Sequence, residues 1–132
     1  MSSISLQCGD CLELMNNISD KSVDCIITDL PYQQTSRNKW DVIIPFEPLW
    51  EQYKRITKDN AAIILFANGM FTAELMMSNK QMWRYNLIWE KTQPTGFLNA
   101  KKMPLRSHED ICIFYKKPPV YNPQKQLDML EK

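Results

Sequence analysis

The stretch "TDLPY", residues 28–32, places an acid, a proline and an aromatic residue directly after an apolar run. Turn chemistry explains the proline and tolerates the acid at position 29. It does not explain Tyr32, or the basic residues Arg37 and Lys39 in the polar segment that follows. These residue types therefore suit either a simple turn or an active site, and the elements around them must decide between the two.

A second candidate for chemistry is the C-x-x-C pattern of Cys8 and Cys11, which is typical of a redox pair or half a zinc site. Zinc would need two further ligands, but no second C-x-x-C exists, and Cys25 and Cys112 are isolated. A redox pair favours an electropositive position for its first thiol, whereas here Asp10 lies between the two cysteines. We therefore predict buried or incidental thiols and no metal site.

The bulk composition is that of one ordinary globular domain. The chain has 132 residues, of which 44% are hydrophobic and 23% charged. Its net charge of +1 gives no overall attraction to nucleic acid or membrane, so any such binding must come from a local patch. The first ten residues lack a signal pattern, and no apolar run approaches the roughly 20 residues of a membrane span. These features predict a cytoplasmic protein.

Strand and helix patterns alternate along the chain. Strands are predicted at 3–8, 22–28 and 61–67, and helices at 11–18, 45–57 and 70–82. The strand at 22–28 is almost continuously apolar, which is typical of a strand buried on both faces of a parallel sheet. The helix at 45–57 has apolar side chains at helical spacing. Those side chains are Phe46, Leu49, Trp50, Tyr53 and Ile56.

The last third of the chain changes character. Strands at 84–91 and 108–117 follow one another without a helix between them, which predicts an antiparallel pair at one edge of the sheet. We interpret the aromatic residues Trp83, Trp89 and Phe114 as core. The segment 118–132 starts with two prolines and ends in polar residues, which indicates a loosely held tail.

Polar residues follow three consecutive predicted strands. Asp10, Asp29 and Asn68 each come just after such a strand. In open α/β sheets, ligands bind beyond the carboxyl ends of the strands, so the three side chains should gather at one rim. Acids and Asn-Gly pairs are also common in strand-to-helix turns, and that interpretation stays open at this point.

"TDLPY" resembles the catalytic motif of the DNA methyltransferases that methylate adenine N6 or cytosine N4. The flanks resemble this family too, in "GDCLELMNNISDKSVDCIITDLPY" at 9–32 and "WEKTQPTGFLNAKKMPLRSHEDICIFYKK" at 89–117. Their order matches circularly permuted members, in which the catalytic half comes first. The resemblance implies an α/β fold of the Rossmann-like methyltransferase type, with a mostly parallel sheet, an antiparallel edge pair and an incomplete set of strands. Residues 1–117 would form the catalytic half and 118–132 the tail.

The resemblance also implies roles for the motif residues. Asp29 and the backbone carbonyl of Leu30 would accept hydrogen bonds from the amine of the target base. Pro31 would fix the backbone, and Tyr32 would stack on a base that has been flipped out of the duplex. Asp10 would hydrogen-bond the methyl donor, S-adenosylmethionine.

Double-stranded DNA is the implied partner, and basic residues in two loops would contact its phosphates. Each of these residues, taken alone, is also an ordinary solvated surface charge. The candidates are Arg37, Lys39, Lys91, Lys101, Lys102 and Arg106.

Two departures from the family pattern affect the interpretation. The first is Leu30, which replaces the usual first proline. The motif's acid, Asp29, is kept, and it favours adenine N6 over cytosine N4 as the target. The family's aromatic-x-Gly-x-Gly loop, which cradles the methyl donor, is absent, because the three glycines Gly9, Gly69 and Gly96 are dispersed. We therefore predict the N-terminal half of a larger enzyme, completed by a homodimer or a complementing chain. The alternatives are a truncated, inactive DNA-binding remnant and an unrelated nucleotide-binding domain, although no phosphate-cradling glycine loop supports the latter.

Overall fold

The computed structural model describes residues 2–31, 44–95, 101–104 and 106–125, with backbone alone for 94, 95 and 106. Two short helical turns come first, α1 at Cys11–Leu14 and a 3-10 turn at Met15–Asn17. The remaining elements are, in chain order, β1 at Val23–Asp29, α2 at Phe46–Ile56, β2 at Thr57–Ala67, α3 at Met70–Ser78, β3 at Trp83–Thr95 and β4 at Arg106–Phe114.

The four strands form one sheet in the order β1-β2-β4-β3. β1 and β2 are parallel, whereas β4 is antiparallel to both of its neighbours, β2 and β3. The antiparallel edge pair is confirmed, but a mostly parallel sheet is wrong for the described residues, since two of the three ladders are antiparallel. The reason is the direction of β4, which runs antiparallel to both of its neighbours. This strand returns the chain in the opposite direction and lies between β3 and β2.

Both α2 and α3 cover the same face of this sheet. The strand residues beneath them are fully or almost fully buried and alternate along β2, as in Ile63, Leu65 and Ala67. On β4 the same face carries Cys112 and Phe114, and the ring of Phe114 lies 4.7 Å from that of Trp50 on α2. The helix predicted at 45–57 is confirmed, because its apolar stripe is the part of α2 that contacts this core.

The strand predicted at 3–8 is wrong. Residues 2–8 form no ladder with the described strands, and Ile4 and Leu6 are 91% and 92% exposed. Alternating apolar residues make a strand only where a neighbour satisfies the backbone N–H and C=O groups. Residues 2–8 have no such neighbour among the described residues, because β1 pairs with β2 alone and its other edge is not joined by this segment.

Burial of β1 on both faces is wrong as well. Ile26 packs against the core on the helix-covered face, whereas Ile27, which points the other way, is 66% exposed. The apolar run is thus a strand with one covered face. The 3-10 turn that precedes β1 is held by Arg55 of α2, whose guanidinium donates to the carbonyls of Met15 and Ile18, at 2.7 and 2.8 Å. In the described residues, no helix has the length and apolar character needed to cross a membrane.

Candidate active site

The motif residues lie where two parallel strands end together. Asp29 is the last residue of β1, and its register partner on β2 is Phe66. Asn68 directly follows β2, so two of the three residues predicted at one rim of the sheet, Asp29 and Asn68, lie there together. Asp29 is exposed there, on the sheet face that α2 and α3 leave uncovered.

The side chain of Leu30 packs in the core and so fixes the position of the motif. It is only 5% exposed and belongs to the same buried cluster as Leu49, Leu65 and Phe71. Pro31, the next residue, is half-buried. A buried side chain directly after an exposed acid fixes the backbone of residues 29–31 at the rim. The leucine that departs from the family pattern therefore has a packing role, which its position in the motif did not reveal.

Asn68 contributes an unusual polar group to the rim. Its Nδ2 atom is buried and has no hydrogen-bond partner in the part of the chain that the structure describes. An unpaired buried amide costs about 1–3 kcal/mol, so such groups are rare without a functional or structural reason. The next residue, Gly69, has a φ of 59°, which lets the chain turn sharply from β2 into α3.

A short chain of polar contacts holds the start of β4 against α3. The hydroxyl of Thr72 donates to Asp110 Oδ2 at 2.8 Å. The other carboxylate oxygen, Oδ1, lies 3.8 Å from Nε2 of His108. Asp110 pairs in register with Ala67, the last residue of β2. Sequence reasoning missed this contact, since Thr72 and Asp110 are far apart in the chain and no spacing rule connects them.

Trp89 is not a core residue. It is 51% exposed and its ring meets that of Phe66 edge to face, with centroids 5.4 Å apart. Together with Lys91, Thr92, Gln93 and Glu109 it lines a cleft of about 370 Å³ at the same rim. Phe114 is fully buried and Trp83 packs against the core, so the core prediction holds for two of the three aromatic residues.

The predicted DNA contacts have different surroundings. Lys91 forms an ion pair with Glu109 at 3.1 Å. Lys101 and Lys102 are exposed in a turn, and Arg106 begins β4. Tyr32, Arg37 and Lys39 lie outside the described residues. Contact with DNA remains a prediction for all of these residues, as does the stacking role of Tyr32.

The N-terminal polar residues form a helix cap. Asp10 Oδ1 accepts a hydrogen bond from the backbone N–H of Leu12 at 2.9 Å and so caps α1. Burial, and then the charge of Asp10, raise the pKa of the Cys11 thiol. A redox-active or metal-binding cysteine needs the opposite shift, since the thiolate is the reactive form. Cys8 and Cys11 are free thiols, and Asp10 as a donor-binding residue remains a prediction.

Comparison with known proteins identifies the family. A family model for DNA methylases matches residues 23–132. The chain belongs to the N6/N4 DNA methylase family. It is 28% identical to the type II methyltransferase M.HinfI of Haemophilus influenzae and 26% identical to M2.MboI of Moraxella bovis. Each alignment covers 65% of this chain but only 31% and 40% of the relative, so the chain spans about a third of their length.

Solved structures show the same fold for this DNA methylase chain. The complex of M1.HpyAVI with SAM superposes with a TM-score of 0.65 at 18% identity, covering 89% of this chain and 59% of that one. The cytosine-N4-specific PvuII DNA methyltransferase also gives 0.65, at 11% identity, with coverage of 84% and 49%. The methyltransferase fold is therefore confirmed, and the chain corresponds to part of it.

Proposed function

We propose that this DNA methylase chain is the catalytic half of an enzyme that transfers a methyl group to the exocyclic amine of a flipped DNA base. The observation that carries the proposal is the placement of Asp29. It is an exposed carboxylate at the end of a parallel strand, and the buried side chain of Leu30 fixes the backbone immediately after it. Ligands of open α/β sheets bind at such strand ends.

The chemistry requires hydrogen-bond acceptors aimed at the amine. The lone pair of an exocyclic amine is delocalised into the base ring, so the nitrogen is a poor nucleophile. Asp29 and the carbonyl of Leu30 accept its two hydrogens and favour a pyramidal nitrogen whose lone pair points at the methyl donor. Tyr32 stacks on the flipped base, a contact worth about 1–3 kcal/mol in single-strand binders. The acid favours adenine N6 as the target, with cytosine N4 as the alternative.

S-adenosylmethionine is the proposed methyl donor, and when bound it supplies an electrophilic methyl group. The described residues fit it only in part. The buried amide of Asn68 can donate a hydrogen bond at the rim, but one oxygen of Asp10 is already engaged in capping α1. The sequence contains no paired-glycine loop to cradle the donor. The described residues therefore account for only part of a donor site.

Double-stranded DNA is the proposed substrate, and the enzyme would act in the cytoplasm as the methylating part of a restriction-modification system. Lys101 and Lys102 are the described lysines best suited to phosphates, because both are exposed. Lys91 is less suited, since Glu109 neutralises it. Arg37, Lys39 and Arg106 complete the proposed phosphate-binding set.

An inactive DNA-binding remnant is the second candidate. It is favoured by the free edge of β1, which among the described residues has a neighbour on one side only. The described residues would therefore line a ligand-binding crevice at that edge on one side only. The two candidates make opposite predictions for methyl transfer.

The test is transfer of labelled methyl from S-adenosylmethionine to unmethylated DNA, followed by nucleoside analysis. We expect label in N6-methyladenine and its loss in Asp29→Ala. Asp24→Ala is the matched control, since it removes an exposed carboxylate from the other end of the same strand. Unchanged activity of Asp29→Ala would contradict the mechanism. Label in N4-methylcytosine would reassign the base, and DNA binding without any label would favour the remnant.

A further inference from the structure

A two-residue turn, Asn68-Gly69, joins the end of β2 to the start of α3. Asn68 lies at the rim beside the catalytic motif, since Asp29 pairs in register with Phe66, two residues before Asn68 on the chain. The position of the Asn68 amide relative to Asp29 therefore depends on what holds this turn in place.

The start of α3 has no cap from its own sequence. Its N-cap residue is Gly69, which forms no side-chain capping hydrogen bond, and its first turn contains no acidic residue. The first N–H groups of a helix have no partner within the helix, and a negative charge near them is stabilising. The contact that usually fixes the start of a helix must therefore come from another element.

Asp110 of β4 supplies such a contact. Its Oδ2 atom accepts a hydrogen bond from the hydroxyl of Thr72, the third residue of α3, at 2.8 Å. Its backbone pairs in register with Ala67, the last residue of β2. Asp110 is thus joined to the chain on both sides of the Asn68-Gly69 turn, through its backbone on one side and through its carboxylate on the other.

The carboxylate of Asp110 is itself restrained. The side chain is only 17% exposed, and its second oxygen, Oδ1, lies 3.8 Å from Nε2 of His108 on the same strand. A largely buried carboxylate that accepts a short hydrogen bond has less rotational freedom than a solvated one. It can therefore hold Thr72, and with it the first turn of α3, in one geometry.

We propose that Asp110 is a positioning residue for the methyl-transfer site. Through Thr72 it fixes the start of α3 and so orients the amide of Asn68 at the rim. The inference rests on the proposed function, in which Asn68 donates a hydrogen bond to the methyl donor. Groups that contact reacting molecules must be held within about 0.5 Å of their productive position, and the residues behind them provide that restraint. In this role Asp110 contacts neither the donor nor the base.

Three variants and a control isolate this contact. Asp110→Ala removes the acceptor and Thr72→Val removes the donor, whereas Thr72→Ser keeps the hydroxyl and should behave like the unsubstituted chain. Ser78→Ala is the matched control, because Ser78 accepts a hydrogen bond from Trp50 Nε1 at 2.8 Å at the opposite end of the same helix. It removes one contact of α3 and leaves the rim intact. Urea unfolding checks that each variant folds.

The first measurement is the side-chain χ1 angle of Asn68, from NMR three-bond couplings in the whole chain. We expect the couplings of a single rotamer in the unsubstituted chain, in Thr72→Ser and in Ser78→Ala. Averaged couplings are expected in Asp110→Ala and Thr72→Val. A single rotamer in all variants, or averaging in the unsubstituted chain, would overturn the proposal.

The second measurement is methyl transfer from labelled S-adenosylmethionine to unmethylated DNA. We expect Asp110→Ala to lower kcat/KM for the donor about tenfold and to change KM for DNA by less than about twofold. In an Asn68→Ala background the same substitution should have no further effect, because Asp110 acts through Asn68. An equal loss in both backgrounds would contradict this role.

The positioning role and the proposed function fail separately. If the chain transfers no methyl group but Asp110→Ala releases the rotamer of Asn68, methyl transfer by this chain alone is refuted and the positioning contact is supported. If methyl transfer occurs and the rotamer of Asn68 does not depend on Asp110, the proposed function is supported and the positioning role is refuted.

Discussion

The two faces of this one sheet differ in what covers them rather than in their composition. The face that packs against α2 and α3, here called the covered face, carries Ile63 and Leu65 of β2. The opposite face, the open face, carries Ile64 and Phe66, which alternate with them along the same strand. The first pair is fully buried under α2 and α3, while the second is only half-buried. Apolar character alone therefore does not decide burial. The connections decide it, because both helices cross on the same side.

This comparison predicts that stability is concentrated on the covered face. Leu65→Ala removes a fully buried side chain and leaves a cavity, so it should lower the free energy of unfolding by about 2–5 kcal/mol. Ile27→Ala, on the open face, should change it by no more than about 0.5 kcal/mol at concentrations where the chain is monomeric. Urea denaturation followed by circular dichroism measures both. Equal losses would mean that the open face is buried in solution.

The difference between the faces also explains which predictions from sequence succeed. The helical spacing in α2 predicts its buried stripe, and the "TDLPY" motif at the end of an apolar run predicts the rim position of Asp29. These signals are local. The strand predicted at 3–8 and the burial of Ile27 and Trp89 fail because they depend on a neighbouring strand or a covering layer, which the pattern of one segment does not encode.

The site shows the same limit. Asp29, Leu30 and Asn68 follow from the strand ends, but the contact between Thr72 and Asp110 joins a helix to a strand that is distant in the chain. Leu30 shows a different limit. As a member of a catalytic motif it suggests a role at the rim, whereas its side chain lies in the core. The proposed role of Leu30 in the motif uses its backbone carbonyl, whereas its packing role uses its side chain. The sequence pattern indicates only the first of these roles.

Titration of the Cys112 thiol gives a second test of the difference in burial between the two faces. Burial on the covered face, and secondarily the carboxylate of Asp110, raise the pKa of Cys112 from 9.0 to about 11. Because the folded-state pKa lies above the unfolded value, the folded protein holds this proton more tightly. The contribution to stability is therefore complete below about pH 9 and is lost as the pH rises towards about 11. We expect a loss on the order of 2 kcal/mol over this window.

The measurement is urea unfolding of the chain and of Cys112→Ala at several pH values between about 8 and 11. Cys112→Ala is less stable at every pH because of its cavity, but that offset does not vary with pH, so its stability should fall less steeply with alkalinity. Cys25→Ala is the control on the opposite face of the sheet. Partial burial also raises the pKa of the Cys25 thiol, but this residue lies exposed on β1. A steep alkaline loss that persists in Cys112→Ala would assign the titration to other groups.

The smallest effect is expected at the rim of the covered face, where Thr72 donates to Asp110. Thr72→Val keeps the shape of the side chain but removes the hydrogen bond, which should lower the free energy of unfolding by about 1–2 kcal/mol. Thr92→Val, at an exposed position on β3, is the matched control and should be neutral. In an Asp110→Asn background the cost of Thr72→Val should shrink, because the two residues act on one contact. An undiminished cost there would mean that the packing of Thr72, rather than its hydrogen bond, holds α3 against the rim.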